Sequence, residues 1–195
     1  QGFQRGDPVV IASADPLQVI VDLFACWQAG LVAVLINPAI VAAERSRVTA
    51  ATGAVLWLQT TPGAGPGDVA PDAASGQALG ADEPALILMT SGTTGTPKGV
   101  TLSLGALSAR VSSNRARIGD ATLRRVLSVL PVYFGHGLIG TVLTPLAAGG
   151  AVTLWPSPAL GELPGLGATL DKTRATFLSS VPSFWRMALR LSPSP

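Results

Sequence analysis

A chain of 195 residues can bury one good core or two small ones. Its 13 Lys and Arg against 11 Asp and Glu leave a formal charge of +2, too small to argue for a nucleic-acid partner. Charged residues make up 12% of the chain, against about 25% in an ordinary soluble domain, so part of the surface is expected to be covered by further protein. The most apolar segment, residues 17–38, carries Asp22 and Gln28 and is broken by Gly30, so no membrane span is expected. There is no basic-then-apolar leader with a cleavage site. The one cysteine, Cys26, excludes an internal disulfide and suits a reducing, cytoplasmic setting.

In chain order, short β-rich runs alternate with longer helical ones. Residues 9–12 read as a strand, and 16–29 as a helix opened by Asp15-Pro16 and closed by Gly30. Residues 31–36 read as a buried strand stopped by Asn37-Pro38, 41–51 as a helix wetted by Glu44, Arg45 and Arg47, and 54–58 as a third strand. Residues 59–84 break the pattern: nine of these 26 residues are Gly or Pro, which predicts a long, flexible surface connection. The alternation then resumes with a helix at 104–117, a strand at 125–130, a buried helix at 136–148 and a strand at 151–155. A Pro/Gly-rich turn at 156–167 and a short helical stretch lead to a last strand at 176–179 and a final helix at 182–191. Buried strands separated by helices predict an α/β fold, layered α/β/α with mostly parallel sheets.

Between the apolar stretches 85–88 and 100–102 lies the run Met89-Thr90-Ser91-Gly92-Thr93-Thr94-Gly95-Thr96-Pro97-Lys98-Gly99-Val100. Glycine frees backbone amides to approach a polyphosphate, hydroxyls add donors, and Lys98 adds a point charge suited to phosphate. The spacing is not that of the common P-loop, because Lys98 is neither preceded by Gly nor followed by Ser or Thr. A plain hairpin turn would have no use for Thr-Pro-Lys-Gly.

This run resembles the signature loop of the adenylate-forming superfamily, which includes acyl-CoA and aryl-CoA synthetases and nonribosomal-peptide adenylation domains. Other segments are similar to that family in the expected order: Gly6-Asp7-Pro8-Val9-Val10-Ile11, residues 27–34, residues 130–138, residues 145–152, and Val181-Pro182-Ser183. The resemblance implies part of the large N-terminal domain of such an enzyme over residues 1–195. Thr90, Ser91, Gly92, Thr93, Thr94, Gly95, Thr96, Pro97, Lys98 and Gly99 would hold the ATP phosphates, with Lys98 and Thr94 in the catalytic role. Tyr133, Phe134, Gly135, His136, Gly137 and Ser183 would form the substrate pocket. It further implies ATP and Mg2+ as cosubstrate and cofactor, and CoA or a carrier protein's phosphopantetheine as acceptor.

Several positions depart from the family pattern. Ser103 is followed by Leu104 where most members have His, and Phe134 stands where many CoA synthetases have His. Phe134 can gate a pocket by shape but cannot donate a hydrogen bond. His136 either takes over that polar role or is a helix-start histidine satisfied by backbone. Gly135 stands where amino-acid-activating members carry Asp, and a buried ammonium without a partner is costly. An α-amino acid is therefore disfavoured and an uncharged acyl or aryl acid favoured. Tyr133, Phe134, Trp155, Phe184 and Trp185 either line a hydrophobic pocket or belong to the core.

The family's adenine and magnesium segment, its ribose contact, its hinge and its C-terminal domain with the catalytic lysine have no counterpart in this sequence. The magnesium ligands are accordingly expected outside it. Two readings follow: the ATP-binding portion of a carboxylate–thiol ligase whose remainder lies elsewhere, or a homologue that binds acyl or adenylate groups without adenylation. The 195 residues alone are expected to bind ATP poorly, to self-associate through uncovered surface, and to be inactive.

Overall fold

The computed structural model describes residues 2–59, 79–90, 98–156 and 158–191. The chain divides into two compact units, residues 1–108 and 109–195.

The first unit is built on a five-stranded sheet of order β3-β1-β2-β4-β5. Its strands are β1 (Pro8–Ile11), β2 (Val32–Leu35), β3 (Leu56–Leu58), β4 (Pro84–Thr90) and β5 (Lys98–Ser103). The first four run parallel, and β5 joins β4 antiparallel at the edge. Every residue of β2 is buried, as expected of a parallel strand covered on both faces.

Helix α1 (Pro16–Gln28) links β1 to β2, and α2 (Ala42–Thr52) links β2 back past β1 to β3. The direction of travel reverses between these crossovers, and right-handed connections therefore put α1 and α2 on opposite faces. Strand alternation agrees. Val10, Ala12, Val32, Val34, Ile36 and Ile87 form one cluster with Val48 of α2, and no residue of α1 takes part in it.

Local chemistry sets the helix ends. Asp15 caps α1 by accepting from the Leu17 amide at 2.9 Å, and Pro16 occupies the first turn, where no N–H is needed. Val19, Leu23 and Cys26 form its buried stripe. Burial pushes the Cys26 thiol up to about 12, so it is a core side chain and not a nucleophile. Gly30 ends the segment at φ +72°, a conformation that favours glycine. The Trp27 indole donates to the Ala85 carbonyl at 2.7 Å and so ties α1 to β4.

Residues 60–78 of the expected connection lie outside the described residues. Its end is anchored: Arg5 forks onto Glu83, with Nε to Oε1 at 2.7 Å and Nη2 to Oε2 at 2.6 Å, and the Gly80 amide also donates to Glu83. These bonds hold the Glu83 carboxyl down to about 2.

The second unit carries β6 (Arg125–Ser128) parallel to β7 (Ala151–Leu154), with α3 (Leu104–Ile118) running into it. Its core joins Leu127, Val129, Leu163 and Leu166 to Phe184 and Ala188 of α6 (Pro182–Leu191), with Trp155 packed against them. Phe184 and Trp155 are therefore core residues.

Two expectations are corrected here. Residues 176–179 form no strand: the amides of Thr176 and Phe177 both donate to the Arg125 carbonyl, and only Val126 bridges Phe177. The Thr176 hydroxyl competes as well, bonding the Thr122 carbonyl at 2.8 Å. Second, the helix expected over 136–148 is a π-helix at His136–Leu143 followed by the short α4 (Thr144–Ala147). Pro145 has no N–H, so an α-helical ladder would leave the Thr141 carbonyl without its donor. The chain winds wider ahead of it, and the Ile139 carbonyl accepts both the amide and, at 2.6 Å, the hydroxyl of Thr144. Helix α5 (Leu166–Thr173) completes the set.

Candidate phosphate loop and acid cavity

The first candidate region is the β4–β5 hairpin. β4 runs from the buried Ala85, Leu86 and Ile87 out to the exposed Thr90, and β5 returns antiparallel from the exposed Lys98. Thr90 pairs with Lys98 and Met89 with Gly99, and the Thr90 hydroxyl donates to the Lys98 carbonyl at 3.1 Å. An antiparallel pair holds its two Cα atoms about 5 Å apart. The seven intervening residues, Ser91, Gly92, Thr93, Thr94, Gly95, Thr96 and Pro97, lie outside the described residues, but their two ends meet on one hydrogen-bonded pair. Gly99 is required by close approach, since a Cβ there would sit 2.8 Å from Ile87 Cγ2. Beyond the hairpin, Ser103 caps α3 by accepting from the Ala106 amide at 3.2 Å.

The second region is a cavity of about 440 Å³ in the second unit. Arg110, Asn114 and Ile118 of α3 line one side, at a spacing of four that places them on one helix face. Gly135, His136, Ile139 and Gly140 supply another side, and Phe177 and Ser179 a third. His136 Nε2 and Ser179 Oγ are hydrogen-bonded at 2.9 Å, so the histidine is not satisfied by backbone alone. The π-helix sets this position: Gly140 leaves room beside the imidazole, where a Cβ would lie 3.2 Å from His136 Cδ2.

Buried hydroxyls fix the π-helix to β6. The Thr141 hydroxyl donates to the Gly137 carbonyl at 2.7 Å, which leaves Ser128 as donor in the 2.7 Å bond to Thr141. Gly137 itself is locked in place, because a Cβ would lie 2.2 Å from the Pro131 carbonyl oxygen.

Of the six pocket residues expected from sequence, Gly135 and His136 line this cavity. Gly137 supports it from within the core. The Tyr133 and Phe134 rings lie 4.7 Å apart, tilted at 54°, with Phe134 53% exposed, and neither is among the cavity's lining residues. Burial raises the Tyr133 hydroxyl above its ordinary range. Ser183 is exposed in the first turn of α6. Arg110, Asn114, Phe177 and Ser179 were not anticipated; the signal available was the polar i, i+4 pair on α3. Among the described residues no cluster of His, Cys, Asp or Glu could hold a metal ion, and no helix is long and apolar enough to cross a membrane.

A mostly parallel α/β sheet with an antiparallel edge pair at β4–β5 is an arrangement with known relatives. The sequence matches the profile of the AMP-binding enzyme family over residues 1–195, and the chain belongs to that family. It is 47% identical over 76 residues to a sulfoacetate–CoA ligase from Cupriavidus necator, covering 37% of this chain and 14% of that one. A feruloyl-CoA synthase from an Amycolatopsis species is 28% identical over 201 residues, covering 95% and 40%. The fold is that of o-succinylbenzoate CoA synthetase from Bacillus subtilis, crystallised with its acyl-adenylate intermediate, at a TM-score of 0.82 and 22% identity over 96% of this chain and 52% of that one. The chain thus spans about half or less of the length of these relatives.

Proposed function

We propose that this chain is part of the large domain of a ligase that joins a carboxylic acid to a thiol through an acyl-adenylate. The observation that carries the reading is the Thr90–Lys98 pair, which brings the two ends of the Gly/Thr-rich run together at a sheet edge in a member of the AMP-binding family. The names of the relatives, a CoA ligase and a CoA synthase, support it.

In the first half-reaction an oxygen of the acid attacks the α-phosphorus of ATP, the bond to the β-phosphate oxygen breaks, and pyrophosphate leaves. In the second, a thiol of CoA or of a carrier protein's phosphopantetheine attacks the acyl carbon and AMP leaves. Thr90 and Lys98, with Ser91, Thr93, Thr94 and the loop amides between them, stabilise charge on the departing pyrophosphate. Mg2+, when bound, neutralises phosphate charge; its ligands are assigned to the remainder of the protein. His136 and Gly135 contribute to the acid site. No carboxylate lines the cavity among the described residues, which disfavours an α-ammonium there.

ATP–pyrophosphate exchange on the whole protein, run against a panel of carboxylic acids with an α-amino-acid control, tests the reading. Exchange with at least one acid and none with the amino acids is expected. Acid binding without exchange would favour the non-adenylating homologue.

A further inference from the structure

We infer that the cavity reads a second anionic group on the acid substrate through Arg110, so that the substrate is a dicarboxylate or a sulfonated carboxylate. The inference rests on the ligase reading above and names the class of acid.

The cavity brings together the Arg110 guanidinium, the Asn114 amide, which donates to the Thr144 hydroxyl at 3.3 Å, and the His136 imidazole and Ser179 hydroxyl, which are hydrogen-bonded to each other. Among the described residues no acidic side chain lines it. Nor is Arg110 neutralised elsewhere. Arg115 on the same helix is forked onto Asp120 at 2.6 and 2.7 Å, whereas Arg110 has no hydrogen-bond or ion-pair partner among the described residues. A cation, an amide and a hydroxyl-bonded imidazole without a counter-charge are complementary to an anion, and a guanidinium matches the two oxygens of a carboxylate or sulfonate. Ile118, Ile139 and Phe177 supply apolar wall for a short carbon chain.

The reacting carboxylate is the poorer candidate for this contact. A guanidinium forked onto both its oxygens would hold back the electron pair that must attack phosphorus. A group that never reacts has no such conflict. The sequence alone favoured an uncharged chain, because Gly135 removes a negative charge from the pocket. The structure adds the positive charge of Arg110.

The test uses the whole protein with succinate and butyrate, acids of equal chain length that differ by one anion. Exchange rates and calorimetric binding are measured for wild type, Arg110→Gln and Arg110→Lys. Succinate is expected to be preferred at least tenfold in kcat/KM, mainly through KM, with the preference collapsing in Arg110→Gln and partly kept in Arg110→Lys. Arg110 is exposed and unpaired among the described residues, so these variants are expected to unfold at the wild-type temperature. Exchange that favours butyrate, or a succinate preference that survives Arg110→Gln, overturns the inference and leaves the ligase reading standing. Succinate binding that depends on Arg110 without exchange from any acid supports the anion pocket and overturns the ligase. Failure of both acids to bind, with no exchange, overturns both.

Discussion

In the β4–β5 hairpin the ends of the candidate phosphate run, Thr90 and Lys98, are set by main chain: they form a register pair, and glycine at position 99 lets the strands close. In the second unit the candidate acid residues hang from side chains that no single segment supplies, drawn from α3, the π-helix and the stretch after α5. The hairpin rests on an apolar parallel sheet that needs no polar group inside it. The cavity rests on a core threaded by hydroxyls, Ser128 to Thr141 to the Gly137 carbonyl.

The sharpest way to break this contrast is Gly137→Ala. Its Cβ would meet main chain at Pro131 and not a movable side chain, so a loss of roughly 3 kcal/mol is expected, read as a lower urea midpoint. An unchanged midpoint would show that the π-helix is loosely held.

Lys98→Ala probes the other region. The loss of a charge-assisted phosphate contact should reduce kcat/KM in the whole protein by about 1.5–3 kcal/mol while leaving thermal unfolding nearly unchanged. Normal adenylation by the variant would remove Lys98 from the phosphate site.

Thr141→Val tests the hydroxyl thread. It strands the buried Ser128 hydroxyl, and about 1–3 kcal/mol of stability should go with it. The double variant with Ser128→Ala should recover part of that loss; no recovery would mean that packing, not hydrogen bonding, is at stake.

The smallest effect belongs to Arg5–Glu83, an exposed pair. Glu83 is held down to about 2 from an ordinary value of 4.5, so the folded state prefers it ionised. Its stabilisation is complete above 4.5 and disappears as pH falls from there toward 2. Glu83→Gln should therefore narrow the stability gap to wild type across that acid window, followed by urea melts at each pH. A gap independent of pH would assign the pair no part in acid sensitivity.

Much of the fold was legible because burial and period agree in it. The alternation of β1, α1, β2 and α2 sits where hydrophobic runs, Asp15-Pro16, Gly30 and Gly53 put it. The run 89–100 stands out by composition, and its ends fall on the paired strands β4 and β5. The cavity was not legible, because its members are separated by up to 69 positions, from Arg110 to Ser179, and only packing brings them together. Residues 176–179 have strand composition, yet Thr176 spends its hydroxyl and amide on different carbonyls and ends the ladder. The wide winding at 136–143 has one visible cause in sequence, Pro145, and nothing in hydrophobic pattern separates it from an ordinary helix.

That winding also makes the chain's only histidine sensitive to length. A π-turn is an α-helix that has taken in one extra residue, and each residue of an α-helix turns the chain by about 100°. Removing a single residue between Gly137 and Val142 would draw the wide turn back toward an ordinary one. It would also swing the imidazole round the axis, away from Ser179. Such a deletion should be nearly silent in helix content and severe in acid recognition. Substitutions along the same stretch should tend the other way, as Gly137→Ala and Thr141→Val do: they cost stability and leave the imidazole beside Ser179.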